Sequence, residues 1–253
     1  MRNMIRWKMC RTARDIFFYI IASIAMVVAF AYLPSSLHDG IQSAAELTIA
    51  TSSRIASMLV LVIGLYASGC ITHDVHERFL SVAIASGNGS FSVVLAEMLG
   101  FIAVVFTCVL VPSLLVFAIG IFIPGLSFGG GILVVKTIIW ILAYSAVCSA
   151  AFGIVLPLCL VVKSEGMSCI VNLIVVLGFW SVAEAILEAG GTDALQSLPA
   201  RLFPFTQLFM LCALDPELPG FWGGMLFALA GAMCFALLLL WGSCLLFAKM
   251  EKK

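Results

Sequence analysis

Long apolar runs separated by short polar stretches fill the chain from residue 16 onward. A helix of about 20 apolar residues spans the hydrocarbon core of a bilayer. Six runs reach that length, at residues 16–33, 53–71, 91–123, 132–162, 168–187 and 221–248. The runs are continuous. A transmembrane β-barrel would instead alternate apolar and polar positions in segments of about 10 residues. The pattern predicts an all-α integral membrane protein with six transmembrane helices, in a single transmembrane domain covering residues 1–253.

The breaks between runs carry turn chemistry. Pro34-Ser35-Ser36 ends the first, Pro124-Gly125 and Gly129-Gly130-Gly131 follow the third, and Lys163-Ser164-Glu165-Gly166 forms a tight turn after the fourth. The third run exceeds one crossing and contains Pro112, so it is expected to protrude or to kink there. Two further segments read as membrane-associated without spanning. Residues 1–15 are basic, place Ile5, Met9, Ala13 and Ile16 at helical spacing, and offer Trp7 to the interface; they suit a helix lying along the membrane surface. They also resemble the start of a signal peptide, but the run that follows is long for one and shows no clear small-residue cleavage site before Pro34, so it is kept as the first span. Within residues 190–220, the apolar stretch 202–214 is interrupted by Pro204 and too short to cross, which predicts a re-entrant or interfacial segment.

Composition agrees with a bilayer environment. The chain has 253 residues, 63% hydrophobic and 10% charged, against roughly a quarter charged in soluble domains. Net charge is zero, so the distribution of charge is what informs. With the N-terminus inside, Arg2, Arg6, Lys8, Arg11, Arg14, Arg78, Lys163, Lys249, Lys252 and Lys253 fall in the cytoplasm, ten of the thirteen basic residues, and only Arg54, Lys136 and Arg201 fall toward the outside. The expected arrangement is a multi-pass protein of the cytoplasmic membrane with both termini cytoplasmic. Nine cysteines are scattered through the apolar segments with no metal-ligand spacing, and read as small hydrophobes between helices.

This orientation places one polar loop, residues 72–90, in the cytoplasm. It holds His73, Asp74, His76, Glu77 and Arg78, then Phe79-Leu80, and closes on Ser86-Gly87-Asn88-Gly89-Ser90. His73 and His76 have a spacing that two metal ligands on one helix face would have, but a solvated polar face is the preferred reading and no metal site is assigned. The glycine-rich stretch lacks the lysine of a phosphate loop, and neither a zinc-protease helix motif nor a nucleophile elbow occurs. No catalytic residue is assigned, and no cofactor is expected in this chain. Of the charges near the spans, Arg54 and Lys136 sit where they can snorkel, and Glu97 is expected to face water or the loop. Glu184 and Glu188, four residues apart near the outer end of the fifth span, form a candidate outer polar site. They either meet a cationic substrate or pair with Lys136 or Arg201.

A basic surface helix, six spans, a charged first cytoplasmic loop and an outer segment before the last span resemble the ABC-2 type of ABC-transporter permease. Two stretches carry the resemblance. One is Asp74-Val75-His76-Glu77-Arg78-Phe79-Leu80 with Ala85-Ser86-Gly87-Asn88-Gly89-Ser90; the other is Leu198-Pro199-Ala200-Arg201-Leu202-Phe203-Pro204-Phe205. The chain has Arg78-Phe79 where the family often has a glycine-threonine pair, and Glu97 where it often has a basic residue. The resemblance implies a half-transporter that pairs with a second, identical or different, permease and with two ABC ATPase subunits. Those subunits would bind ATP and Mg. It further implies a coupling helix near residues 74–85, in which His73, Asp74, His76, Glu77, Arg78, Phe79 and Leu80 would contact the ATPase. The exported substrate would be an amphiphilic peptide, as in antimicrobial-peptide export and immunity, or a lipid-like molecule or drug. Membrane lipid is the other expected partner, and nucleic acid is not. An ion-coupled secondary carrier would need buried carboxylates and inverted repeats. An intramembrane enzyme would need a catalytic cluster. A membrane anchor or sensor recruiting a soluble partner is the remaining alternative.

Overall fold

The structure is a computed structural model and describes residues 2–12, 14–38, 41–72, 74, 87, 89–127, 130–162, 164–194, 203–214 and 220–251. Nine α-helices are found among them: α1 (Arg2–Thr12), α2 (Ile16–His38), α3 (Ala44–Ala67), α4 (Ser90–Phe122), α5 (Gly130–Phe152), α6 (Val155–Val161), α7 (Glu165–Ala194), α8 (Pro204–Cys212) and α9 (Phe221–Glu251). A π-helical segment, Ser68–Thr72, continues α3. Among the described residues the one β-bridge joins Ser43 to Ser127 and ties the turn before α3 to the turn after α4. Six helical stretches are long and apolar enough to cross a membrane.

Several boundaries differ from those expected, each for a local reason. The second span begins at Ala44, not near residue 53, because Ser43 and Glu46 form a capping box. The Glu46 amide donates to Ser43 Oγ at 3.1 Å and the Ser43 amide to Glu46 Oε2 at 3.3 Å. Arg54 is therefore well inside α3 rather than at its outer start. The first span, α2, runs through Pro34 to His38; the missing proline donor costs only one bond, to the carbonyl four residues back. The third span is one helix that continues through Pro112. At about 1.5 Å per residue its 33 residues extend about 50 Å, well beyond the hydrocarbon core. Beside the proline, Ser52 Oγ donates to Ser113 Oγ at 2.7 Å, a buried link between α3 and α4. The fourth span, expected to be continuous, breaks after Phe152 and resumes at Val155. Pro157 accounts for this, since a helix through it would set its ring against the carbonyl of Gly153.

The centre of the bundle is α3 and α5, with α4 against both. The most apolar window of the fourth span is 72% buried and that of the second 61%, against 17% for the first, fifth and sixth. The outer helices α2, α7 and α9 thus turn large apolar side chains outward, among them Phe17, Ile20, Ile174, Leu237 and Trp241. With no water to satisfy backbone groups in lipid, these helices satisfy them internally and expose only side chains.

Helix α8 has nine residues, too few to span, and is buried against α5, α7 and α9. Phe205 packs between Phe152 and Phe179, with ring centroids 5.9 and 6.0 Å away. Trp140 of α5 stacks on Tyr144 at 4.8 Å and donates its indole N–H to the Leu211 carbonyl at 2.8 Å. On the other side, the Gln207 amide fills the space where a Cβ at position 231 would stand, so α9 needs glycine there.

Candidate functional site

Helix α1 packs on α4 near the start of that helix. Gly100 makes the approach close: a Cβ there would lie 2.9 Å from Lys8 Cγ. The stem of Lys8 passes over this gap, and its ammonium arrives between two carboxylates. Lys8 Nζ is 2.9 Å from Asp74 Oδ2 and also contacts Glu97 Oε2. Arg11, one turn along α1, places Nη1 2.6 Å from Asp74 Oδ1 and lies 5.4 Å from the Trp7 ring centroid. Lys8, Asp74 and Glu97 are buried, at 7%, 1% and 1% exposure. Two cations and two anions balance, which is what burial of charge requires.

Glu97 was expected to face water or the loop; it is instead buried under α1, because Gly100 allows Lys8 to reach it. Its Oε1 has no hydrogen-bond partner among the described residues. Beside the cluster, the Cys70 thiol donates to Asp15 Oδ2 at 3.0 Å and the Phe17 amide to Asp15 Oδ1 at 2.9 Å. The crevice between Lys8, Asp15, Tyr66 and Asp74 has a volume of about 20 Å³, room for a single water.

Burial pulls the Lys8 ammonium down, but the Glu97 and Asp74 carboxylates outweigh it, and its pKa ends above the ordinary 10.5. A lysine raised in the folded state contributes stability that is complete below its unfolded pKa and lost as pH rises through the folded value. Docking of α1 is therefore expected to hold from neutral pH to about 10 and to weaken above it. The thermal unfolding midpoint followed against pH checks this, and a fall that begins well below pH 10 contradicts it.

A second polar cluster holds the π-helical segment from the other side. Asn172 Nδ2 on α7 lies 3.1 Å from Ser68 Oγ, 3.1 Å from Cys159 Sγ and 3.2 Å from Ser168 Oγ. Ser168 and Thr72 share a hydrogen bond of 2.8 Å. Here α3 and α7 approach closely at Gly64, where a Cβ would stand 3.3 Å from Asn172 Cβ. The root of the polar loop is thus fastened twice, through Ser68 and Thr72 to α7 and through Asp74 to Lys8 and Arg11 of α1, with Lys8 in turn contacting Glu97 of α4.

Of the seven proposed ATPase contacts, Asp74 is the one the structure describes, and its carboxylate faces Lys8 and Arg11. His73, His76, Glu77, Arg78, Phe79 and Leu80 lie outside the described residues. Of the outer set, Lys136 holds its ammonium 5.7 Å from the Phe221 ring centroid. Glu184 lines a cavity of about 780 Å³ at the end of the bundle away from α1, together with Glu46, Arg54 and Trp180. Glu188, one turn along α7, is exposed, and Arg201 lies outside the described residues. Sequence reasoning missed Lys8 and Arg11 as cluster members, as well as Asn172. The spacing of Lys8 and Arg11 three residues apart was a signal for one charged face on α1.

No protein-family model matches the sequence, and no curated protein matches it.

Proposed function

We propose that the chain is the transmembrane subunit of an ATP-driven exporter of the ABC-2 type, working as a homo- or heterodimer with separate ATPase subunits in the cytoplasmic membrane. The observation that supports this best is the double fastening of the loop root. A loop held by Lys8 to α1 and α4, and by Ser168 and Asn172 to α7, is a lever. Force applied to residues 75–86 by a soluble partner passes to three helices at once instead of being lost in a slack connection. In this reading Asp74 is a joint and not a docking contact. Glu77 and Arg78 make charge-assisted contacts with the ATPase, and Phe79 and Leu80 anchor in an apolar pocket of it. The cargo is an amphiphilic peptide, lipid-like molecule or drug.

The buried carboxylates of Asp74 and Glu97 are the one feature that favours an ion-coupled carrier. Their position argues against it. Glu97 is about 10 Å from the start of α4, near the end of the bundle, whereas carriers place coupling sites near the midplane. Lys8 and Arg11 also already neutralise the pair.

Purification of the tagged full-length chain from its own membranes tests the proposal. It is expected to bring down an ATPase with a phosphate loop, and the double variant Glu77→Ala, Arg78→Ala to lose that ATPase while still inserting in the membrane. A stable complex without an ATPase, together with proton-dependent transport, contradicts it.

A further inference from the structure

The cavity at the end of the bundle away from α1 is built by three helices. Glu46, Arg54 and other α3 residues form one wall, Trp180 and Glu184 of α7 a second, and Phe209 with Leu214 after α8 the third. Its volume of about 780 Å³ falls in the range of small-molecule sites, about 300–1,000 Å³.

Among the described residues three charged side chains line it, Glu46, Arg54 and Glu184, and the first two are already engaged. The Glu46 carboxylate accepts the amides of Gln42 and Ser43. The Arg54 guanidinium lies 5.4 Å from the Tyr32 ring centroid. Glu184 has neither a hydrogen bond nor an ion pair among the described residues. Trp180 sits four residues earlier on α7, on the same helix face, and its ring packs against Phe209 at 5.1 Å. A carboxylate beside two aromatic rings attracts a cation through charge and through the ring faces. The remainder of the lining is mixed, with Ile41, Ile49 and Leu214 apolar and Ser53 and Ser57 polar, which suits an amphiphile.

We propose that this cavity binds a hydrophobic cation, with Glu184 as the counter-ion and Trp180 and Phe209 as the aromatic wall. As a statement about cargo it rests on the export proposal; as a binding site it stands on the cavity alone. An amphiphile carrying an ammonium, guanidinium or phosphonium group fits. An anion of the same shape meets Glu184 instead and does not.

Binding of radiolabelled tetraphenylphosphonium to the full chain in nanodiscs of zwitterionic lipid tests this, with tetraphenylborate as the anion of the same shape. The cation is expected to bind saturably. Glu184→Gln is expected to weaken it about tenfold, and Trp180→Ala to weaken it as well. Glu188→Gln, one turn outside the lining, should leave it within about twofold. Saturable tetraphenylborate binding of equal affinity, no saturable cation binding, or cation binding unchanged in Glu184→Gln overturns the site. The assay contains no ATPase, so its failure leaves the ATPase capture experiment standing, and failure of that capture leaves the cation site standing.

Discussion

Lys8→Ala is expected to destabilise the protein by about 3–5 kcal/mol, the largest effect of any surface-helix substitution. The size follows from what is left behind. Asp74 keeps Arg11, but Glu97, at 1% exposure, loses the Lys8 ammonium that contacts its carboxylate. A buried carboxylate without its partner costs its full desolvation. It then either takes up a proton or draws water under α1. Unfolding in mixed micelles reads the loss directly. Arg11→Ala should cost less, because Arg11 is partly in water, at 40% side-chain exposure, and exposed pairs contribute little. If the two variants behave alike, burial is not what sets the strength of this joint.

Trp140→Ala is expected to cost about as much, roughly 3–5 kcal/mol. Trp140 is fully buried, stacks on Tyr144 and donates to the Leu211 carbonyl, so its removal opens a cavity and takes the shorter of two hydrogen bonds from that carbonyl, which keeps the Leu214 amide at 3.2 Å. The helix α8 is too short to hold itself by its own backbone bonds; its place depends on α5 through Trp140 and on α9 through Gln207 and Gly231. Trp140→Phe separates the two contributions. It keeps a ring against Tyr144 while losing the donor and part of the ring volume, for an expected cost of about 1–3 kcal/mol. Equal destabilisation by both substitutions would assign the effect to the hydrogen bond rather than to packing. No destabilisation by alanine would mean that α8 is held elsewhere.

The six crossings were legible because a run of about 20 apolar residues has few other places to be. Their ends were harder to read, for reasons specific to each. The Ser-x-x-Glu sequence at 43–46 announces the start of α3, but the nine residues that follow are mixed enough to resemble a loop. Pro34 reads as a stop and is carried inside a helix, whereas Pro157, within a continuous apolar run, coincides with a break in the span. A proline removes one bond wherever it stands, and its neighbours decide whether the helix continues. The charge cluster was not legible in the same way. Lys8 and Asp74 are 66 positions apart, and nothing local to α1 says that its lysine turns inward. What turns it inward is Gly100, a single missing side chain on another helix. The lone carboxylate at Glu184 was singled out from the sequence, but its aromatic neighbours Trp180 and Phe209 come from two helices that only packing brings together.

The proposed coupling depends on α1, Asp74 and α4 moving as one unit, and so on the Lys8–Glu97 contact being energetically real. A double-mutant cycle measures it most directly: Lys8→Met, Glu97→Leu and the pair together, each unfolded in mixed micelles. Lys8→Met strands the Glu97 carboxylate, Glu97→Leu leaves Lys8 and Arg11 sharing the one Asp74 carboxylate, and the double variant leaves Asp74 and Arg11 as a balanced pair, so the two effects are expected to fall short of additivity by at least about 2 kcal/mol. Additive effects, with the double variant as unstable as the sum of the two, would contradict the joint.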